Sequence, residues 1–139
     1  MQNSQHQLTL NFRCALVIAE ADALRTFLVQ LLRKQGWLVH GIRQAQQAFN
    51  ILAHIPYELI IMDAEMPEIS GIDFIRILHN AREWRAIKLV VITSSQRAGF
   101  AAQTAESGAF LARKSNWEDD ICGFLSTYDE EPTKRNAYS

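Results

Sequence analysis

Five short, mostly apolar runs alternate along this chain with segments whose apolar residues recur at helical spacing. That alternation leaves few folds open, because a strand apolar along its whole length has to be covered on both faces. The runs are Cys14 to Ala19, Trp37 to Ile42, Glu58 to Asp63, Lys88 to Thr93 and Phe110 to Arg113. After the first, Leu24, Phe27, Leu28, Leu31 and Leu32 recur at i, i+3, i+4, i+7 and i+8, with Asp22 near the start and Gly36 where a C-terminal cap belongs. This pattern predicts a helix that buries all five side chains, a contribution of roughly 7 to 15 kcal/mol before the entropy of ordering them. A second helix is expected from Ala45 to Ile55, with Ala48, Phe49, Leu52 and Ala53 on its apolar side and Pro56 as its breaker. Others are expected at Gly71 to Asn80, at about Ala98 to Ser107 and from Ser115 to Tyr128. In the last, Ser115 and Glu118 fit a capping box, and Ile121, Phe124, Leu125 and Tyr128 form the inward stripe.

Strands and helices in this alternation imply an α/β domain, a doubly wound five-stranded parallel sheet with helices on both faces joined by right-handed crossovers. The 139 residues suit one such domain, large enough to bury about two-thirds of its unfolded surface. The expected division is a polar N-terminal extension at 1–12, the folded domain at 13–128 and a polar tail at 129–139. The Gln-rich start lacks the charged-then-apolar order of a signal peptide and no run reaches about 18 apolar residues, so the expected location is cytoplasmic. Fourteen basic and fifteen acidic residues, net charge −1, provide no pull toward nucleic acid or an anionic membrane. Cys14 and Cys122 are expected as buried free thiols. The four histidines are dispersed without metal-ligand spacing.

In open parallel sheets, ligands bind outside the C-terminal ends of the strands. Glu20 follows the first strand, Asp63 ends the third, Thr93 ends the fourth and Lys114 follows the fifth. In a sheet of order 2-1-3-4-5 those strands are neighbours and the four groups converge on one edge, although periodicity alone does not fix that order. Each residue read singly also has a plain structural role: a loop-capping acid, a first-turn acid, a β-branched strand residue, a surface lysine. The chain contains no phosphate-cradling Gly-rich loop with Lys-Ser/Thr, and no Gly-x-Ser-x-Gly elbow. Nucleotide, flavin and hydrolase chemistry are accordingly disfavoured.

The stretch Ile60-Ile-Met-Asp63-Ala-Glu65-Met-Pro67-Glu-Ile-Ser-Gly71-Ile72 resembles the receiver domain of two-component response regulators, a flavodoxin-like fold, and the resemblance extends over Cys14 to Tyr128. It implies that Asp63 accepts a phosphoryl group from a histidine kinase or phosphotransfer protein, that Thr93 is the switch hydroxyl and that Lys114 pairs with the phosphoryl group. It further implies a Mg²⁺ ion held by Glu20, Asp63 and the backbone carbonyl of Glu65. Such a cation suits the crowding of carboxylates and phosphate oxygens, since two carboxylates about 4 Å apart repel by about 4 kcal/mol at an effective dielectric near 20. Three departures stand out. Ala19 fills the first of two usual acidic places, so weaker Mg²⁺ binding is expected, with the Glu65 side chain a candidate for the missing charge. Leu111 stands at the usual aromatic switch position, and Ser115 replaces the usual proline. The Gly108 to Lys114 stretch is one residue short, which leaves Arg113 as the alternative to Lys114.

The resulting expectation is a stand-alone receiver domain and signalling phosphoacceptor, with no enzymatic turnover beyond its own phosphorylation and dephosphorylation. Its expected output face comprises Arg97 to Glu106, Leu111 to Arg113 and Trp117 to Tyr128, with Phe100 and Trp117 as anchors for a downstream protein or a second copy. The alternative is a phosphorylation-independent receiver-like binding module, favoured by Ala19 and Leu111.

Overall fold

All four strand pairings are parallel, as runs apolar on both faces require. In a computed structural model, residues 13–66, 69–94, 106 and 108–129 are described. They form β1 (Cys14–Ile18), α1 (Asp22–Lys34), β2 (Leu38–Ile42), α2 (Ala45–Leu52), β3 (Leu59–Asp63), α3 (Gly71–Asn80), β4 (Lys88–Thr93) and β5 (Phe110–Arg113). A 3-10 turn, Lys114–Asn116, then leads into α4 (Trp117–Asp129). The extension at 1–12, the expected tail at 129–139 beyond its first residue, which ends α4, and, apart from Glu106, the helix expected near Ala98 to Ser107 lie outside the described residues.

The sheet order is β2-β1-β3-β4-β5, so the fold is the doubly wound one that the alternation predicts. Successive residues of the central strands feed opposite layers, because strand side chains alternate between faces. Leu16, Ile18, Ile60, Met62 and Val91 pack with α2 and α3 residues such as Ala48, Leu52, Phe74 and Leu78. Ala15, Val17, Leu59, Ile61, Val90 and Ile92 pack with Leu28 and Leu32 of α1 and with Ile121, Leu125 and Tyr128 of α4.

Helix α1 ends in a Schellman motif: the amide of Trp37 donates to Leu32 and that of Gly36 to Arg33. Gly36 carries the positive φ of 93° that this ending needs. Trp37 then folds back into the layer that Leu32 occupies.

Several local expectations are corrected. Leu28 and Leu32 are fully buried, but Phe27 is 45% exposed. It lies at the rim of the α1 face, where its ring meets that of Trp117 edge-on at 5.1 Å. Helix α2 stops at Leu52, three residues before Ile55, and Ala53 is exposed in the turn before Pro56. Cys14 is half-buried and Cys122 is exposed, both as free thiols. Helix α4 begins at Trp117 after the 3-10 turn, in place of a cap at Ser115. Asp120, a first-turn acid, reaches back instead to accept the backbone N–H of Arg113 at 3.0 Å.

Candidate functional site

The sheet register determines what gathers at the C-terminal edge. Asp63 is paired with Ile92, so Thr93 stands one residue beyond it; Thr93 is paired with Arg113, so Lys114 stands one residue further. Asp63 and Thr93 are the buried polar residues among those described, 6% and 2% exposed. Burial of a carboxylate is tolerable only with partners. The Lys114 Nζ lies 3.2 Å from Asp63 Oδ2, and the backbone N–H of Glu65 donates to Asp63 Oδ1 at 3.0 Å. Arg113 turns away and pairs with Asp120 at 3.2 Å.

The Glu65 carboxylate lies beside this pair. Its Oε2 accepts from the Thr93 hydroxyl at 2.7 Å, and its Oε1 accepts from the Ser94 N–H at 3.0 Å and the Ser94 hydroxyl at 2.9 Å. Lys114 Nζ is 3.4 Å from the same Oε1. For Glu65, burial raises the carboxyl pKa, but the bonds from Thr93 and Ser94 together with the Lys114 charge bring it below its ordinary value. For Lys114, burial pulls the ammonium pKa down, and Asp63 and Glu65 more than reverse this. The site is thus a shared cation between two carboxylates, ringed by hydroxyl and amide donors.

The β1–α1 loop differs from this. Ala19 is fully buried, whereas Glu20 is exposed. The Arg25 guanidinium holds the loop by its backbone, donating to the carbonyl oxygens of Ala19 at 2.9 Å and Glu20 at 3.2 Å, and it pairs with Asp22. Ser94 and Arg25 are absent from the sequence expectations. Ser94 could have been suspected from its place directly after Thr93, and Arg25 from its i+3 spacing to Asp22.

Among the described residues, no three His, Cys, Asp or Glu side chains are grouped so as to hold a metal ion. Of the ligands that the resemblance implies, the Asp63 carboxylate is buried at the strand edge and Glu20 is exposed just after β1; with the Glu65 carbonyl, all three are oxygen donors. That set fits Mg²⁺, which takes one or two protein carboxylates and keeps its remaining positions for water or phosphate oxygens. It does not resemble a closed protein cage. Leu111 packs partly buried against the α2/α3 layer, and Ser115 is exposed in the 3-10 turn. No helix among the described residues is long and apolar enough to cross a membrane.

The family profile described as response regulator receiver domain matches residues 15–114. The CAI-1 autoinducer sensor kinase/phosphatase CqsS of Vibrio cholerae is 30% identical over 122 residues, covering 84% of this chain and 17% of that protein. The KDP operon transcriptional regulatory protein KdpE of Escherichia coli is 29% identical over 94 residues, covering 68% of this chain and 40% of that protein. This chain therefore spans less than half the length of these relatives. Among solved structures, a response regulator receiver protein from Pseudomonas putida superposes with a TM-score of 0.75 at 22% identity, covering 86% of this chain and 98% of that one. The chemotaxis response regulator CheY4 of Vibrio cholerae also gives 0.75, at 15% identity over 84% of this chain and 98% of that one.

Proposed function

The chain belongs to the response regulator receiver domain family of two-component signalling, and on that premise we propose that Asp63 is its phosphoacceptor and that the donor is a phosphohistidine on a histidine kinase or phosphotransfer protein. The supporting observation is the Lys114–Asp63 contact of 3.2 Å at the strand edge, with Thr93 next in register. In the transfer, a carboxylate oxygen of Asp63 forms a bond to phosphorus while the P–N bond to the donor imidazole breaks. The imidazole nitrogen keeps the electron pair and takes up a proton.

Each residue has a part that follows from charge. Lys114 neutralises the phosphoryl oxygens, since an acyl phosphate concentrates negative charge beside a carboxylate. Thr93 donates a hydrogen bond to a phosphoryl oxygen and thereby couples β4 to the modification. Glu20, Asp63 and the Glu65 carbonyl are the groups that would hold Mg²⁺, which supplies further neutralisation when bound. Output runs through β5 and α4, where Arg113 is tied to Asp120 and Trp117 to Phe27, toward a protein partner.

Intact-protein mass after incubation with acetyl phosphate, with and without Mg²⁺, tests this. The expected result is a single Mg²⁺-dependent phosphoryl adduct, absent from Asp63→Asn. An adduct retained by Asp63→Asn would overturn the assignment. A second reading, a receiver-like module that binds its partner without phosphorylation, draws on buried Ala19 in the place of an acid. It predicts no adduct, and partner binding unaltered by Asp63→Asn.

A further inference from the structure

Among the described residues, the hydroxyl, amide and ammonium donors at the ends of β4 and β5 are engaged by a carboxylate of the chain itself. The Glu65 oxygens take the Thr93 hydroxyl, the Ser94 amide and hydroxyl, and a contact with the Lys114 ammonium. Those are the same types of donor that a phosphoryl group on Asp63 needs: a hydroxyl, a backbone N–H and a cation at the ends of β4 and β5. The Glu65 side chain reaches them from only two residues along the chain from Asp63, and the Asp63–Glu65 turn is closed by the Glu65 N–H bond to Asp63 Oδ1. The carboxylate is therefore tethered at the correct end of the sheet.

We propose that Glu65 is a built-in stand-in for the phosphoryl group: in the unmodified protein its carboxylate occupies the Thr93, Ser94 and Lys114 donors, holds the β4 end in its engaged arrangement, and has to withdraw before Asp63 is phosphorylated. This deepens the proposed function and rests on it for the identity of the displacing group. The chemistry favours exchange in one direction. A carboxylate carries one charge on two oxygens, whereas a phosphoryl group carries about −1.5 to −2 on three. The phosphoryl group, once formed, outcompetes Glu65 for the shared donors, and the released carboxylate, already 40% exposed, moves into water at little cost. Before transfer the order is reversed, and Glu65 competes with the incoming donor for Lys114. A purely structural brace would use the same bonds but would not slow phosphorylation.

Glu65→Ala and the milder Glu65→Gln separate these roles. Acetyl phosphate should label Asp63 about tenfold faster in Glu65→Ala than in wild type, one charge-assisted hydrogen bond of competition having been removed, with Glu65→Gln between them. Independently, the Ser94 amide resonance in ¹⁵N-labelled protein should move upfield in both unmodified variants, and return downfield when Glu65→Ala is phosphorylated. Labelling of both folded variants at or below the wild-type rate overturns the proposal, as does a Ser94 resonance indifferent to Glu65. If no chain acquires phosphate at Asp63, the phosphoacceptor reading fails. The resonance of the unmodified variants then decides alone whether the carboxylate holds the β4 end.

Discussion

Asp120 joins the site's edge to the last helix. Its Oδ2 accepts from the Arg113 backbone N–H at 3.0 Å and from the Arg113 side chain at 3.2 Å. The Arg113 side-chain bond, then the backbone bond, hold its carboxyl below the ordinary range. A carboxyl whose folded-state pKa is depressed contributes stability above its unfolded pKa, about 3.9, and loses it as pH falls through the folded value. Asp120→Asn should therefore cost a few tenths of a kcal/mol at pH 7, the scale of a solvent-screened ion pair. Urea unfolding at pH 7 and pH 3 should show the difference shrinking at the lower pH; an equal difference at both would reject the charge-based account. At this scale the sequence discloses Asp63, Thr93 and Lys114, because each sits at or just after a strand end. It does not disclose what the Glu65 side chain touches. The bonds from Thr93 and Lys114 span 28 and 49 residues, and no local periodicity encodes a contact at that separation.

Among the elements, α3 and α4 each carry a glycine, and the two should respond to alanine in opposite ways. Gly71 opens α3 against the loop from β3: a Cβ there would stand 3.1 Å from Ala64 Cβ and 3.2 Å from Ala64 Cα. Backbone cannot give as a long side chain can, so Gly71→Ala should destabilise the fold by about 1 to 2 kcal/mol. It should also disturb Glu65, next to Ala64. Gly123 is within α4 with nothing within 4 Å of its Cβ position, so Gly123→Ala should stabilise by about 0.5 to 1 kcal/mol. Denaturant midpoints of the two variants, moving down and up respectively, check both. The same elements show what patterning can convey. Helical spacing identifies α1, and Gly36 marks its end, because a positive φ has a residue signature. It places Phe27 in the core wrongly, because a stripe of five over two turns is wider than the face covered by the sheet, and the rim residue finds Trp117 instead. The start of α4 is misread for a related reason: Ser115 and Glu118 satisfy the local rule, but Asp120 satisfies a backbone group brought in by β5.

On the scale of the whole molecule, the central strands serve both helical layers at once. Ile60 and Met62 pack toward α2 and α3, Leu59 and Ile61 toward α1 and α4. Stripping either layer would bare one face of a sheet apolar on both, at about 25 cal/mol per Å² of exposed apolar surface. Neither layer is then stable alone, and unfolding should be a single transition. The tryptophans allow each layer to be watched. Trp84 stacks on Phe49 beside the α2/α3 layer, while Trp37 and Trp117 belong to the α1/α4 layer. Trp37→Phe removes a buried indole N–H that has no hydrogen-bond partner among the described residues, so this replacement loses volume without breaking a hydrogen bond described there. In Trp84→Phe, fluorescence reports the α1/α4 layer; in Trp37→Phe/Trp117→Phe it reports the α2/α3 layer. Within each variant the fluorescence midpoint in urea should coincide with the far-UV circular dichroism midpoint, whatever the stability the substitution removes. Separated midpoints in either variant would mean that one layer can leave while the sheet persists, and the sheet edge that holds Asp63, Thr93 and Lys114 would then depend on one helical layer only.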